Sequence, residues 1–255
     1  MKIALLQFDT LWEDKETNLL TVSNEISKID KSVDLVVLPE MFTTGFTMNP
    51  ELVGEEENGN TLQIIKKIAI KHQFAIVGSW VIKEGKDFFN RLFFVYPSGE
   101  YKTYNKRHLF TLAGEEKVYK PGVEKLIVEY KGWKICPLVC YDLRFPVFSR
   151  VVDKNYDLLL YVASWPDRRI YAWDTLLKAR AIENMSYVVG VNRSGVDTNE
   201  VKYSGHSQAI DYMGEVLIPS MQGNKTEVIS LDKAMLDKAR SRFAFLNDAD
   251  LFDLK

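Results

Sequence analysis

Cys140 closes an apolar run, Lys134-Ile-Cys-Pro-Leu-Val-Cys140, and the residues after it, Tyr141-Asp-Leu-Arg-Phe-Pro146, turn polar and then reach a proline. A change that abrupt marks a chain leaving a strand for a helical turn. A thiol at such an elbow is presented at the mouth of a sheet, and the N–H groups of the following turn favour its thiolate. That position suits a nucleophile, although most lone cysteines are small apolar core residues. Two other segments carry polar groups in comparable places. In Asp34-Leu-Val-Val-Leu-Pro-Glu40, four apolar residues make a short buried strand, Pro39 stops it, and Glu40 is the first polar side chain past its end. A carboxylate there lies in the crevice at a sheet's carboxyl edge, where open α/β folds place their ligands. Tyr101-Lys-Thr-Tyr-Asn-Lys106-Arg-His is a strand-like stretch that runs into a cationic turn. Taken singly, a residue such as Glu40 is more often a solvated loop acid and one such as Lys106 a surface cation. Together with a thiol they supply a proton acceptor, a fixed positive charge and a nucleophile.

In the order LPEMF, YNKRHLF, CYDLRFP, the three segments resemble the nitrilase (carbon–nitrogen hydrolase) superfamily. The resemblance starts at Lys2-Ile-Ala-Leu-Leu-Gln-Phe8 and continues through Val162-Ala-Ser-Trp-Pro166 and Lys178-Ala-Arg-Ala-Ile-Glu-Asn184. It takes in Gly205-His-Ser207 and ends at Asn247-Asp-Ala-Asp250. It implies that Glu40, Lys106 and Cys140 are the catalytic set. It also implies a second glutamate before Pro121-Gly122, for which Glu115 is the best match and Glu116 the neighbouring alternative. CYDLRFPVFSR followed by VASWPDRR is most similar to the omega-amidase branch, whose members hydrolyse the side-chain amide of 2-oxoglutaramate and related 2-oxo acid amides. The implied fold is a four-layer α-β-β-α sandwich of two mixed sheets. The implied assembly is a homodimer; the segment after Cys140 and the Tyr171–Asn184 helix are its candidate interface, with Tyr171, Trp173 and Leu176 as apolar contacts or, alternatively, internal core.

An amide is a poor electrophile with a poor leaving group, so a site that cleaves one needs all three functions at once. In this reading Glu40 takes the Cys140 proton during attack and hands it to the departing amine. Lys106 and the Tyr141 backbone N–H stabilise the oxyanion, ammonia leaves, and a water activated by Glu40 releases the acid from a Cys140 thioester. Arg144, about one helical turn beyond Cys140, can face the same pocket and grip a substrate carboxylate, a role the resemblance also assigns it. The alternative for Arg144 is a structural salt bridge to Asp142. Trp165 and Phe46 are pocket walls or core. The same catalytic set would equally serve an N-carbamoyl hydrolase, a nitrilase or an acyl transferase.

The chain has 255 residues, a length that suits one large α/β domain spanning residues 1–255, and its 46% hydrophobic content suffices for a sizeable core. A net charge of −2 gives no electrostatic case for nucleic acid or an anionic membrane. No uninterrupted apolar stretch approaches a membrane span, and the chain enters a strand at Lys2 without a signal peptide, so a cytoplasmic protein is expected. Cys136 and Cys140 make no disulfide framework, and regular pleating would point both to one side. His72, His108 and His206 are scattered, so no metal is expected, and no other cofactor. Asp9-Thr-Leu-Trp12 stands where a nucleotide-binding fold would place its glycine-rich turn. The expected partner is a small amide.

The elements that must position these groups follow from periodicity. Strands are predicted at 2–8, 35–38, 74–80, 88–96, 101–104, 126–130, 134–139, 157–162, 187–191, 207–212, 215–218 and 226–231. Helices are predicted at 15–29, 61–72, 146–154, 171–184 and 233–243. The acidic stretch 51–60 reads as a solvated loop, with a substrate lid as the lesser alternative.

Overall fold

The computed structural model describes residues 1–152, 155–250 and 252. In chain order the first half comprises β1 (Lys2–Gln7), α1 (Lys15–Ser27), β2 (Leu35–Val37), α2 (Pro50–Val53), α3 (Asn60–His72), β3 (Ala75–Glu84), β4 (Asp87–Val95), β5 (Tyr101–Asn105) and α4 (Glu115–Val118). The second half comprises β6 (Val128–Tyr130), β7 (Trp133–Val139), α5 (Pro146–Ser149), β8 (Leu158–Ala163), α6 (Ile170–Asn184), β9 (Tyr187–Asn192), β10 (Ser194–Val196) and β11 (Lys202–Ser204). It ends with β12 (Gln208–Ile210), β13 (Val216–Ile218), β14 (Lys225–Ser230) and α7 (Lys233–Phe243).

Two six-stranded sheets result, ordered β14-β1-β2-β3-β4-β5 and β13-β12-β9-β8-β7-β6. Each has a parallel trio at its heart, β1-β2-β3 in one and β7-β8-β9 in the other. Antiparallel strands flank both trios. The period-two alternation of side chains sorts the apolar residues into layers. On β1 and β2, Ile3, Leu5, Leu35 and Val37 share a core with Ile135, Leu160 and Val189 of the second sheet. The alternate residues Ala4, Leu6 and Val36 pack instead on Leu19 and Val22 of α1 and Leu62 and Ile65 of α3. Trp173 and Leu177 of α6 cover the far side of the second sheet, packed against Gly190. The layers are helix, sheet, sheet, helix, as the resemblance implied.

Several predicted boundaries change. Strand β3 runs ten residues to Glu84, four past Trp80, because it pairs along its length with β4 as far as Glu84 opposite Asp87. The acidic stretch is no free loop: Glu55 caps the start of α3 by accepting from Thr61 N–H at 3.0 Å, and Glu57 pairs with Arg91 and accepts from the Tyr101 hydroxyl. The helix from Pro146 ends at Ser149, and residues 153 and 154 of that prediction lie outside the described residues. The β10–β11 hairpin was not predicted; it belongs to neither large sheet. Among the described residues, no helix is long and apolar enough to cross a membrane.

Cys136 is wholly buried on the helix-covered face of the second sheet, and burial pushes its thiol from an ordinary 9.0 up to about 12. The folded protein thus keeps a proton that the unfolded chain releases near pH 9. The contribution is fully present below that pH and is lost towards pH 12, at up to about 1.4 kcal/mol per pH unit. Urea-unfolding free energies should therefore fall more steeply between pH 9 and 11 for the wild type than for Cys136→Ala. Parallel curves would show that the thiol is not buried as described.

Candidate active site

The turn after β2 is laid against β3. Gly78 permits the approach: a Cβ there would come within 3.0 Å of Leu38 and Phe42. Met41 N–H donates to the Ser79 hydroxyl at 2.9 Å, and Phe42 N–H donates to the Ser79 carbonyl at 3.2 Å. With the turn held on both sides, Glu40 points into the interior, fully buried. One carboxylate oxygen, Oε1, accepts from Lys106 Nζ at 2.9 Å and from Asn90 Nδ2 at 2.8 Å. The other, Oε2, accepts from Ser164 N–H at 2.9 Å across the gap between the sheets.

Lys106 follows β5, and its ammonium gives further bonds of 3.0 and 2.9 Å to the two oxygens of Glu115. Burial pulls the ammonium down, but the charges of Glu115 and Glu40 outweigh it and hold it above the ordinary lysine range. Glu115 is fully buried and also accepts from Phe110 N–H at 2.5 Å; burial pushes its carboxyl up, against the opposing pull of Lys106. Glu116 is exposed. Of the two neighbouring glutamates, Glu115 is the one that meets Lys106.

Cys140 leaves the strand with a left-handed backbone, φ +44°, so the pleat is broken there and the expected common facing with Cys136 does not apply. Strain of this kind at a non-glycine residue persists only where its surroundings over-determine it. Asp142 does so here. It accepts from Val139 N–H at 3.0 Å, the Tyr104 hydroxyl at 2.7 Å and His108 N–H at 3.1 Å. These commitments also dispose of the Arg144–Asp142 salt bridge, which does not form. The expectation of a thiolate favoured by the turn is likewise corrected. Burial, followed by the charge of Glu40, pushes the Cys140 thiol well above its ordinary range, although Lys106 opposes them. A five-residue turn cannot outweigh a dry site with a facing carboxylate.

Glu40, Cys140 and Ser164 all stand just past the carboxyl ends of parallel strands; Cys140 and Ser164 line one cavity of about 520 Å³, and Glu40 lies buried behind them, bonded to Lys106 and Ser164. The cavity walls include Lys106, Tyr141, Arg144, Phe46 and Trp165, so every residue singled out as a binding candidate reaches it. The Arg144 guanidinium lies 4.9 Å over the Trp165 ring and has no carboxylate partner among the described residues. Phe46 lies 5.0 Å from the Lys106 ammonium, and Tyr141 meets Phe110 edge-on at 5.0 Å.

The family model described as carbon-nitrogen hydrolase matches residues 2–241. The chain belongs to the carbon–nitrogen hydrolase family. It is 41% identical to the omega-amidase YafV of Yersinia enterocolitica, over 99% of this chain and 98% of that protein. It is 36% identical to the 2-oxoglutaramate amidase of Bacillus subtilis (strain 168), over 84% of each chain. Among solved structures it is similar to XC1258 from Xanthomonas campestris, a CN-hydrolase superfamily protein with an arsenic adduct in the active site. That match has 40% identity and a TM-score of 0.98, over 100% of this chain and 99% of that one.

Several residues of this carbon–nitrogen hydrolase site escaped sequence reasoning. Asn192 brackets Trp165, accepting from its N–H at 2.7 Å and donating to its carbonyl at 2.9 Å, which fixes the loop whose Ser164 holds Glu40. Trp12, Arg169 and Tyr203 line the cavity from distant segments. Asn90 interrupts the apolar strand Asp87-Phe-Phe-Asn-Arg-Leu-Phe-Phe-Val95. That interruption was a usable signal, since a polar group in a buried strand requires partners.

Proposed function

We propose that this carbon–nitrogen hydrolase is a cofactor-free thiol amidase of omega-amidase type. Its substrate class is a short 2-oxo dicarboxylic acid monoamide such as 2-oxoglutaramate, released as the acid and ammonia. The observation that carries the reading is the buried Glu40–Lys106–Glu115 cluster beside Cys140, opening on a cavity that also presents the unpaired Arg144 guanidinium. Omega-amidase and 2-oxoglutaramate amidase relatives at 36–41% identity support the substrate class. In the reaction, the thiol sulfur bonds to the amide carbon as Glu40 accepts its proton. Lys106 and the Tyr141 N–H, an early N–H of the Cys140–Arg144 turn, receive the oxyanion. The C–N bond then breaks, the proton passes from Glu40 to nitrogen, and ammonia leaves a Cys140 thioester. Water enters, gives a proton to Glu40 and releases the acid, returning the proton to sulfur.

Product analysis is the test. Incubation with 2-oxoglutaramate should give ammonia and 2-oxoglutarate. Carbon dioxide from an N-carbamoyl compound, acid from a nitrile, or transfer of the acyl group to an added amine in preference to water would each replace the amidase reading with the corresponding alternative. Arg144→Ala should lower kcat/KM for 2-oxoglutaramate by about 100-fold, the scale of a lost charge-assisted pair, and leave a neutral short amide nearly unaffected. An equal loss on both amides would remove the carboxylate clamp.

The reading extends to one hydrolase domain over residues 1–255, supported by the core shared between the sheets. It includes a cytoplasmic setting, supported by two free cysteines. It also includes a homodimer through the segment after Cys140 and α6. Val147, Tyr171 and Ile182 are exposed there, 52%, 82% and 52% respectively, and Leu176 is half-buried. Trp173 is withdrawn from that surface: it is fully buried, and its indole donates to the His206 carbonyl at 2.8 Å.

A further inference from the structure

Asn90, on β4, touches every charged member of the cluster and belongs to none of the roles assigned so far. Its side chain is almost fully buried. Its amide nitrogen donates to Glu40 Oε1 at 2.8 Å and reaches Glu115 Oε1 at 3.4 Å, and its main-chain carbonyl accepts from Lys106 N–H at 3.0 Å. Its amide oxygen is buried with no protein partner among the described residues. A carboxamide can be turned over without changing shape, so charge must decide which end faces the acids. Turned over, Oδ1 would confront two carboxylates with no proton to offer. The NH₂ end faces them instead, and the unsatisfied oxygen is the consequence.

Two buried acids share a single ammonium here. The three Lys106 N–H bonds are already committed, one to Glu40 and two to the oxygens of Glu115. When an oxyanion forms above Cys140, Lys106 must redirect a donor towards it, and its hold on Glu40 weakens at the step where Glu40 carries the proton. A neutral donor that stays on Glu40 throughout answers that need. We propose that Asn90 is a positioning residue for amide hydrolysis, its NH₂ keeping the Glu40 carboxylate aimed at the Cys140 thiol while Lys106 turns to the oxyanion. The proposal rests on the reading of Glu40 as base and Cys140 as nucleophile. It does not depend on which amide is the substrate.

The test compares wild type, Asn90→Asp and Asn90→Leu by three measurements. These are kcat and KM for 2-oxoglutaramate, the rate of Cys140 alkylation by iodoacetamide with Cys140→Ala as blank, and the thermal midpoint. Both variants should remain folded and lose about 100-fold in kcat, the scale of a small misplacement at a reacting centre, with KM within about twofold. Alkylation, which needs Glu40 to accept the thiol proton but needs no substrate, should slow at least tenfold. A folded variant with kcat and alkylation both near wild type would overturn the proposal, as would a loss confined to KM. Asn90→Leu preserves the approximate shape of the side chain and adds no charge, so failure of that variant to fold would assign Asn90 to the scaffold and equally overturn it. If the wild type released no ammonia from 2-oxoglutaramate, the substrate reading would fall, and the alkylation rates would still decide the role of Asn90.

Discussion

Cys140→Ala should reduce ammonia release from 2-oxoglutaramate by at least about 10⁴-fold, the scale of losing the nucleophile from a concerted set, with the fold intact. The variant keeps Glu40, Lys106 and Glu115, so any residual rate reports what the charged cluster achieves with water alone. Alanine at φ +44° carries the same backbone strain as cysteine, and only a small volume is removed from the cavity wall, so the thermal midpoint should move little. Cys140→Ser is the sharper comparison. Its hydroxyl has nearly the same shape, but its proton is far harder to remove, and a carboxylate is too weak a base to do so. It should therefore resemble alanine in rate. Equal ammonia release by wild type and Cys140→Ala would mean that another group attacks, and the proposed mechanism would have to be abandoned.

Lys106→Met should both silence the enzyme and destabilise it by about 3–5 kcal/mol near neutral pH, the usual consequence of leaving buried charge uncompensated. Lys106 is held above the ordinary lysine range by Glu115 and Glu40, so its contribution is fully present at neutral pH and is lost only at strongly alkaline pH. Glu115 shows the opposite liability. Burial already pushes its carboxyl up despite the attraction of Lys106, and without that attraction it rises further. The folded variant then takes up a proton that the unfolded chain does not hold at neutral pH. Its deficit relative to wild type should therefore shrink as pH falls from 8 towards 5. Urea unfolding of both proteins at the two ends of that range measures the difference directly. A deficit unchanged by pH would mean that solvent already reaches the acids and that the cluster is not sealed as described.

Much of this arrangement could be read from the chain. A proline or a polar residue directly after a short apolar strand marks its carboxyl end, and this placed Glu40 and Cys140 at strand mouths, although only the resemblance gave them a role. The layering follows from runs in which every residue is apolar, such as Leu158–Ala163, which fit only a strand covered on both faces. Closure of the site was less legible, because it depends on which distant segments meet. Ser164 binds Glu40 across 124 residues, and nothing local to either position announces the contact. The thiol was misjudged for a related reason: its surroundings come from both sheets, and a turn examined alone looks open to solvent. Trp12, in the stretch that argued against a nucleotide-binding turn, lines the cavity without any local pattern to suggest it.

The parallel trios have a bearing on how the protein matures. Glu40 hangs from one sheet, and Cys140 and Ser164 from the other, so neither half of the chain contains a working fragment of the proposed site. During synthesis the first sheet's central strands emerge long before the second's, while β14, the edge strand beside β1, emerges near the end. A nascent chain that has made only the first sheet's central strands therefore lacks both the proposed nucleophile and Ser164. Catalytic competence becomes a late, all-or-nothing signal that the two sheets have found each other.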